Sequence, residues 1–206
     1  MRTDCDGCPA CAGLRAELAA KQQEVWDLTE SLSRNDALTG ALNRRGMTEL
    51  VAEELHRSSR TGQPFCFAVI GIDHMKSINA ISHEVGDQVL QAVSREAKAS
   101  LRTIDRFSRF EGDEFGVLLP ATWLHQGLLA MSRLKELVAE QNWDFVAPGH
   151  GIAFSTGLTT NAPAERAEQM ILRAQNALAQ AKAEGRNRVV TLEEELPAGL
   201  FAAMDD

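Results

Sequence analysis

The chain has 206 residues, 44% of them hydrophobic, and a net charge of −8. That length accommodates one full domain with a helical appendage rather than two domains. The acidic balance argues against non-specific binding of nucleic acid or of an anionic membrane, although a local basic pocket still admits phosphates. No apolar run approaches membrane-spanning length, and Met1-Arg2-Thr3-Asp4-Cys5 lacks the apolar core of a signal peptide, so a cytoplasmic protein is expected.

Cys5, Cys8 and Cys11 form a CxxCxxC cluster within residues 1–12. In a reducing compartment that spacing favours metal or redox chemistry over structural disulfides, so Zn²⁺ or another metal is a candidate cofactor there. The alternative is a frayed tail with reactive thiols. Over residues 13–35, Leu14, Leu18, Lys21, Val25, Leu28 and Leu32 recur at heptad spacing. This predicts a dimerising coiled-coil helix, with Lys21 tolerable at a seam because its stem can splay outward. A single helix packed on its own domain is the competing reading. Ser33-Arg34-Asn35-Asp36 breaks the heptads, and Asp36 is expected to cap the next helix, from about Gly46 to Ser58.

Phe65 to Ile72 reads as a fully buried strand holding Cys66 as a small hydrophobe. Two helices follow, the longer from about Asp87 to Leu101. Next come two apolar, β-prone runs, Ile104–Phe110 and Phe115–Leu119, joined by an acidic turn at Glu111-Gly112-Asp113-Glu114. A helix near Gln126–Glu140, a strand at Gly151–Thr159, a helix at Ala164–Ala183 and a strand at Arg188–Leu192 complete the order βααββαβαβ. The expected class is α+β, a mixed sheet flanked by helices, spanning residues 36–192. Residues 193–206 form an acidic, weakly patterned tail.

The acidic turn is the sharpest chemical signal. Gly112 permits a backbone conformation that other residues resist and lets a ligand approach closely. Adjacent carboxylates there suit a divalent metal carrying a triphosphate. A solvated hairpin turn is the ordinary alternative, but motifs elsewhere oppose it. They are Asp36-Ala-Leu-Thr-Gly-Ala-Leu-Asn-Arg-Arg45, Ile72-Asp-His-Met-Lys-Ser-Ile-Asn79, His83-Glu-Val-Gly-Asp87, Arg109 to Phe115, and Ala181-Lys-Ala-Glu-Gly-Arg-Asn-Arg188.

In these five ordered motifs the chain resembles the GGDEF domain, the catalytic module of diguanylate cyclases, from about Asp36 to Val190. The resemblance implies a palm-like sheet and the condensation of two GTP into cyclic di-GMP, one GTP held by each half of a dimer, with Mg²⁺ or Mn²⁺. It implies catalytic roles for Asp113, Glu114 and Lys182. Metal ligation falls to Asp113, Glu114 and the backbone carbonyl of Ile72. Nucleotide binding falls to Lys76, Asn79, Asp87, Gly112, Lys182 and Arg186. The chemistry agrees: Asn79 and Asp87 offer the acceptors and donor that a guanine edge requires, and the cations neutralise phosphate. Taken singly, Asn79 reads as a turn cap, Asp87 as a helix N-cap, and the basic residues as ordinary surface. The resemblance also places an inhibitory product site at Arg102 and Asp105, with Arg133 as third ligand.

The chain departs from the pattern at several points. Gly71 stands where the family has its first metal aspartate, and Glu111 stands at the first signature glycine. Ala80 replaces the usual Asp, the loop to Gly86 is one residue short, and Gln175 and Ala179 replace an Asp and a Tyr. Glu111 or Asp73 could supply the missing carboxylate to a working enzyme. Alternatively the domain is a degenerate receptor for GTP or cyclic di-GMP that signals through its coil.

Overall fold

The computed structural model describes residues 9–194. Cys5, Cys8 and the tail beyond Glu194 lie outside the described residues, as does the side chain of Cys11, so the N-terminal metal or redox site falls there too. The described chain divides into two compact units between Ser33 and Arg34.

The first unit is helix α1 (Pro9–Leu32), which begins within the cysteine-rich segment expected over residues 1–12. Of its seam positions, Leu14, Leu18 and Val25 are 66%, 59% and 62% exposed. Lys21 pairs with Glu24 at 2.6 Å on the exposed surface. No helix among the described residues is long and apolar enough to cross a membrane.

The second unit contains α2 (Arg44–Thr61), β1 (Cys66–Ile72), α3 (Met75–Asn79), α4 (His83–Ser100), β2 (Arg106–Glu111), β3 (Glu114–Leu119), α5 (Leu124–Glu140), β4 (Phe154–Thr160), α6 (Ala167–Ala183) and β5 (Val189–Thr191). The five strands form one mixed sheet in the order β2-β3-β1-β4-β5. All neighbours are antiparallel except β4 and β5. The α+β class and the element order agree with the sequence reading.

Strand β1 is buried at every residue because helices cover both faces of the sheet. Its period of two sends Cys66, Ala68, Ile70 and Ile72 into one core with Val89, Val93, Met131 and Leu134 of α4 and α5. Phe67 and Val69 enter the other core, with Met47 and Val51 of α2 and Met170, Ala174 and Leu178 of α6. Gly71 therefore faces α6. On β3, Glu114 lies opposite Gly71 in the register and so shares that face. Gly157 of β4 lets α6 seat against the sheet: a Cβ there would fall 2.1 Å from the Ala174 carbonyl oxygen.

Two local expectations change. Asp36 does not cap the following helix; Asn43 does, its side chain accepting from the Gly46 amide at 2.9 Å. Asp36 instead closes its own turn, accepting from the amide and hydroxyl of Thr39 at 2.8 and 2.6 Å. The helix expected from Asp87 starts at His83, capped by Ser82, whose hydroxyl accepts from the Val85 amide at 3.2 Å. Asp87 thus lies inside the helix, and its side chain is left for other work.

Candidate functional site

A cleft of about 560 Å³ opens at the C-terminal end of β1. Its walls are the β1–α3 turn, the first turns of α4, the β2–β3 hairpin and the turn after α6. Nine of the residues expected in a nucleotide site line it: Ile72, Asp73, Lys76, Asn79, Asp87, Gly112, Asp113, Lys182 and Arg186. The side chains of Lys76, Asn79, Asp87, Asp113, Lys182 and Arg186 make no hydrogen bond or ion pair with any other described residue. Charged and amide groups left unpaired around one concavity are poised for a ligand rather than for the fold.

Local structure explains how each arrives. Asn79 ends α3, and Gly86 lies in the first turn of α4. A Cβ on Gly86 would stand 1.9 Å from Asn79 Oδ1, so only glycine lets the amide sit against α4, one residue from Asp87. Lys182 is in the last turn of α6. Arg186 and Asn187 both take left-handed backbone, with φ of 63° and 47°. Two successive non-glycine residues in that region carry strain that the surroundings must offset. Asp73 does so. It is 5% exposed, and its two oxygens accept from the Asn187 amide at 3.0 Å and the Ser155 hydroxyl at 2.8 Å. Asp73 thereby clamps the turn that presents Arg186.

The hairpin is held by Arg109, which also lines the cleft. Arg109 Nε donates to the Gly112 carbonyl at 2.9 Å, and its Nη1 lies 3.3 Å from Asp36 Oδ2. Gly112 has φ +52°, with nothing within 4 Å of where its Cβ would be. Burial pushes the Asp36 carboxyl up, but the Thr39 hydrogen bonds and the Arg109 charge outweigh it and hold Asp36 below its ordinary value. Arg109 was present in the sequence motif without a role. Only its partner, 73 residues away, reveals one.

Not every expected residue joins the cleft. Glu114 lies on the α6 face of the sheet beside Gly71, where Gln175 Nε2 donates to it at 3.4 Å. Glu111 is exposed at the hairpin bulge and does not line the cleft. The Asp73 oxygens are already engaged as described. At Gly71 a Cβ would lie only 2.7 Å from Lys182 Nζ. One carboxylate, one carbonyl and an ammonium do not fit a resident divalent ion held by paired protein carboxylates.

Arg102 and Asp105 face each other elsewhere. Arg102 Nη2 donates to Asp105 Oδ1 and to Thr122 Oγ1, each at 2.8 Å, with the Asp105 side chain only 3% exposed. They line a separate cleft with Lys98 and Arg106. Arg133 is exposed on α5 and is not part of that lining.

Residues 33–188 match the family model "Diguanylate cyclase, GGDEF domain". Diguanylate cyclase DgcP of Pseudomonas aeruginosa is 39% identical over 155 residues, covering 75% of this chain and 23% of DgcP. The chain therefore spans less than a quarter of that relative's length. Among solved structures, diguanylate cyclase SiaD of Pseudomonas aeruginosa, crystallised with its activator SiaC, superposes with a TM-score of 0.73 at 32% identity. That match covers 89% of this chain and 72% of SiaD. The coiled coil and GGDEF domain of DgcB from Caulobacter crescentus, in complex with c-di-GMP, gives 0.72 at 26% identity, over 87% of this chain and 99% of that one.

Proposed function

The chain belongs to the GGDEF family of diguanylate cyclase domains, and we propose that it condenses two GTP into cyclic di-GMP. The observation that carries this is the set of unpaired groups around one cleft: an amide and carboxylate at the α3–α4 corner, three cations, and Asp113 on the hairpin. Asn79 donates to guanine O6 and accepts from a ring N–H, and Asp87 accepts from the remaining N–H groups. Lys76, Lys182 and Arg186 meet the triphosphate, whose charge shifts toward the departing pyrophosphate as the bond breaks.

Two such half-sites face each other in a dimer. Each ribose 3′-oxygen then forms a bond to the α-phosphorus of the opposite nucleotide while the α–β bridging bond breaks and pyrophosphate leaves. The proton of the incoming 3′-hydroxyl passes to Glu114, which lies outside the cleft lining with Gln175 as its partner and so leaves that hydrogen bond to reach it. Two such displacements close the ring and release two pyrophosphates. Cyclases of this family generally use Mg²⁺ or Mn²⁺. Here Asp113 and the Ile72 carbonyl would be the groups available to such an ion, which would supply charge neutralisation at the phosphates.

The exposed apolar seam of α1 supports dimerisation through a coiled coil, since three large side chains half or more exposed on one helix gain burial from a second copy. Arg102 and Asp105 are proposed as a product site that requires their mutual pairing to open. The lost carboxylate at Gly71 favours a second reading, a receptor that binds GTP or cyclic di-GMP without turnover. Purified protein incubated with GTP and Mg²⁺ or Mn²⁺ separates the two. Cyclic di-GMP in the products establishes the cyclase. Its absence, together with a cyclic di-GMP-dependent rise in melting temperature, establishes the receptor.

A further inference from the structure

Gly71 is the position at which this chain departs most from a metal-binding sheet end, and the structure shows what the departure makes room for. A Cβ on Gly71 would meet Lys182 Nζ at 2.7 Å, Lys182 Cε at 2.8 Å and Leu178 Cδ2 at 3.2 Å. The ammonium therefore lies where a side chain at 71 would begin. The relationship parallels Gly86 and Asn79: in each pair a missing side chain admits the polar end of a neighbour.

Lys182 has three N–H donors and no acceptor of its own, and it makes no ion pair or hydrogen bond with a described residue while lining the cleft. Glu114, opposite Gly71 in the register, is instead contacted by Gln175. An unpaired ammonium lining a cleft attracts anionic oxygen and repels a second cation from the same spot.

We propose that Lys182, lodged in the space that Gly71 leaves, is a built-in counter-cation for the triphosphate, so that GTP binds this domain with little dependence on a divalent metal. The inference rests on the cleft being a GTP site. It assigns Gly71 a purpose, since a carboxylate there would pair with the ammonium and cancel the charge it offers to phosphate.

The test is calorimetric titration with α,β-methylene GTP, which cannot lose pyrophosphate, in excess MgCl₂ and in excess EDTA. The wild-type dissociation constant is expected to differ by less than about tenfold between the two buffers. Gly71→Asp is expected to bind at least about tenfold more weakly in EDTA and to recover in MgCl₂. Lys182→Met, which keeps the stem without the charge, is expected to lose the EDTA binding as well. A wild-type protein that needs Mg²⁺ for all but a tenth or less of its affinity overturns the role of Lys182 while leaving the GTP site intact. Failure to bind in either buffer overturns the GTP site itself.

Discussion

Replacing Gly86 with alanine separates the cleft's specificity from the stability of its scaffold. The new Cβ would lie 1.9 Å from Asn79 Oδ1 and 3.2 Å from its Cγ. An ordinary carbon–oxygen contact is about 3.3 Å, so the amide must retreat by roughly 1.4 Å, enough to break hydrogen bonds it makes to a bound base. Two such bonds at about 1 kcal/mol each, with some further cost for the guanine groups left unpaired, total about 2–3 kcal/mol. GTP affinity should therefore fall about 30- to 150-fold. Adenine has no N1–H or 2-amino group to donate to Asp87, so ATP binds more weakly from the outset, and the preference for GTP over ATP should shrink as Asn79 loses its bonds to guanine. Stability should change little, because alanine's advantage over glycine within a helix, up to about 1 kcal/mol, is opposed by the new Cβ lying 3.1 Å from Met75 Cε. Calorimetry with the α,β-methylene analogues of GTP and ATP, alongside thermal melts, reads both effects. A variant that melts like wild type and keeps the full GTP preference would refute the guanine-reading role of Asn79.

Three further outcomes follow from the same geometry. Asp73→Ala leaves the Asn187 amide and the buried Ser155 hydroxyl without their acceptor; at about 1–2 kcal/mol each this costs about 2–4 kcal/mol. For a domain of this size the melting temperature should fall by about 4–16 °C, and GTP affinity should drop as the Arg186 turn loosens; unchanged melting would remove Asp73 from its clamping role. Asp36 is held below its ordinary 3.8 in the folded state, so its stabilisation is complete above that value and disappears as pH falls through the lowered pKa. Urea midpoints of wild type and Asp36→Asn should differ most near neutral pH and converge in strong acid, whereas a constant gap contradicts the Arg109 pairing. Burial pushes the Cys66 thiol up to about 12, and with the other three cysteines changed to serine a thiol reagent should label Cys66 only at the rate of global unfolding. Rapid labelling of native protein would show that the face beneath α5 opens locally.

Much of this was legible in the chain. The eight-residue apolar run ending at Ile72 could be little other than a strand covered on both faces, and the resemblance to the GGDEF domain named nine residues that line the cleft. What the sequence hid is what depends on distant partners. Asp36 looks like a helix cap because Ser, Thr, Asn and Asp all suit that place; that Asn43 takes the cap and Asp36 turns to Arg109 is decided by the hairpin 73 residues later. Asp73 looks like a spare metal ligand until β4 and the turn after α6 supply two donors to it. Gly71 reads as a simple loss from sequence alone, because nothing local indicates that a lysine more than a hundred residues on occupies its space.

The measurement that bears most directly on the whole account is stoichiometric. Purified protein is incubated with GTP and Mg²⁺ or Mn²⁺, and cyclic di-GMP and pyrophosphate are quantified together. The account predicts two pyrophosphates for every cyclic di-GMP formed, with product abolished by Asp113→Ala. Protein that binds GTP yet releases no pyrophosphate at any concentration would contradict the cyclase and leave a receptor in its place.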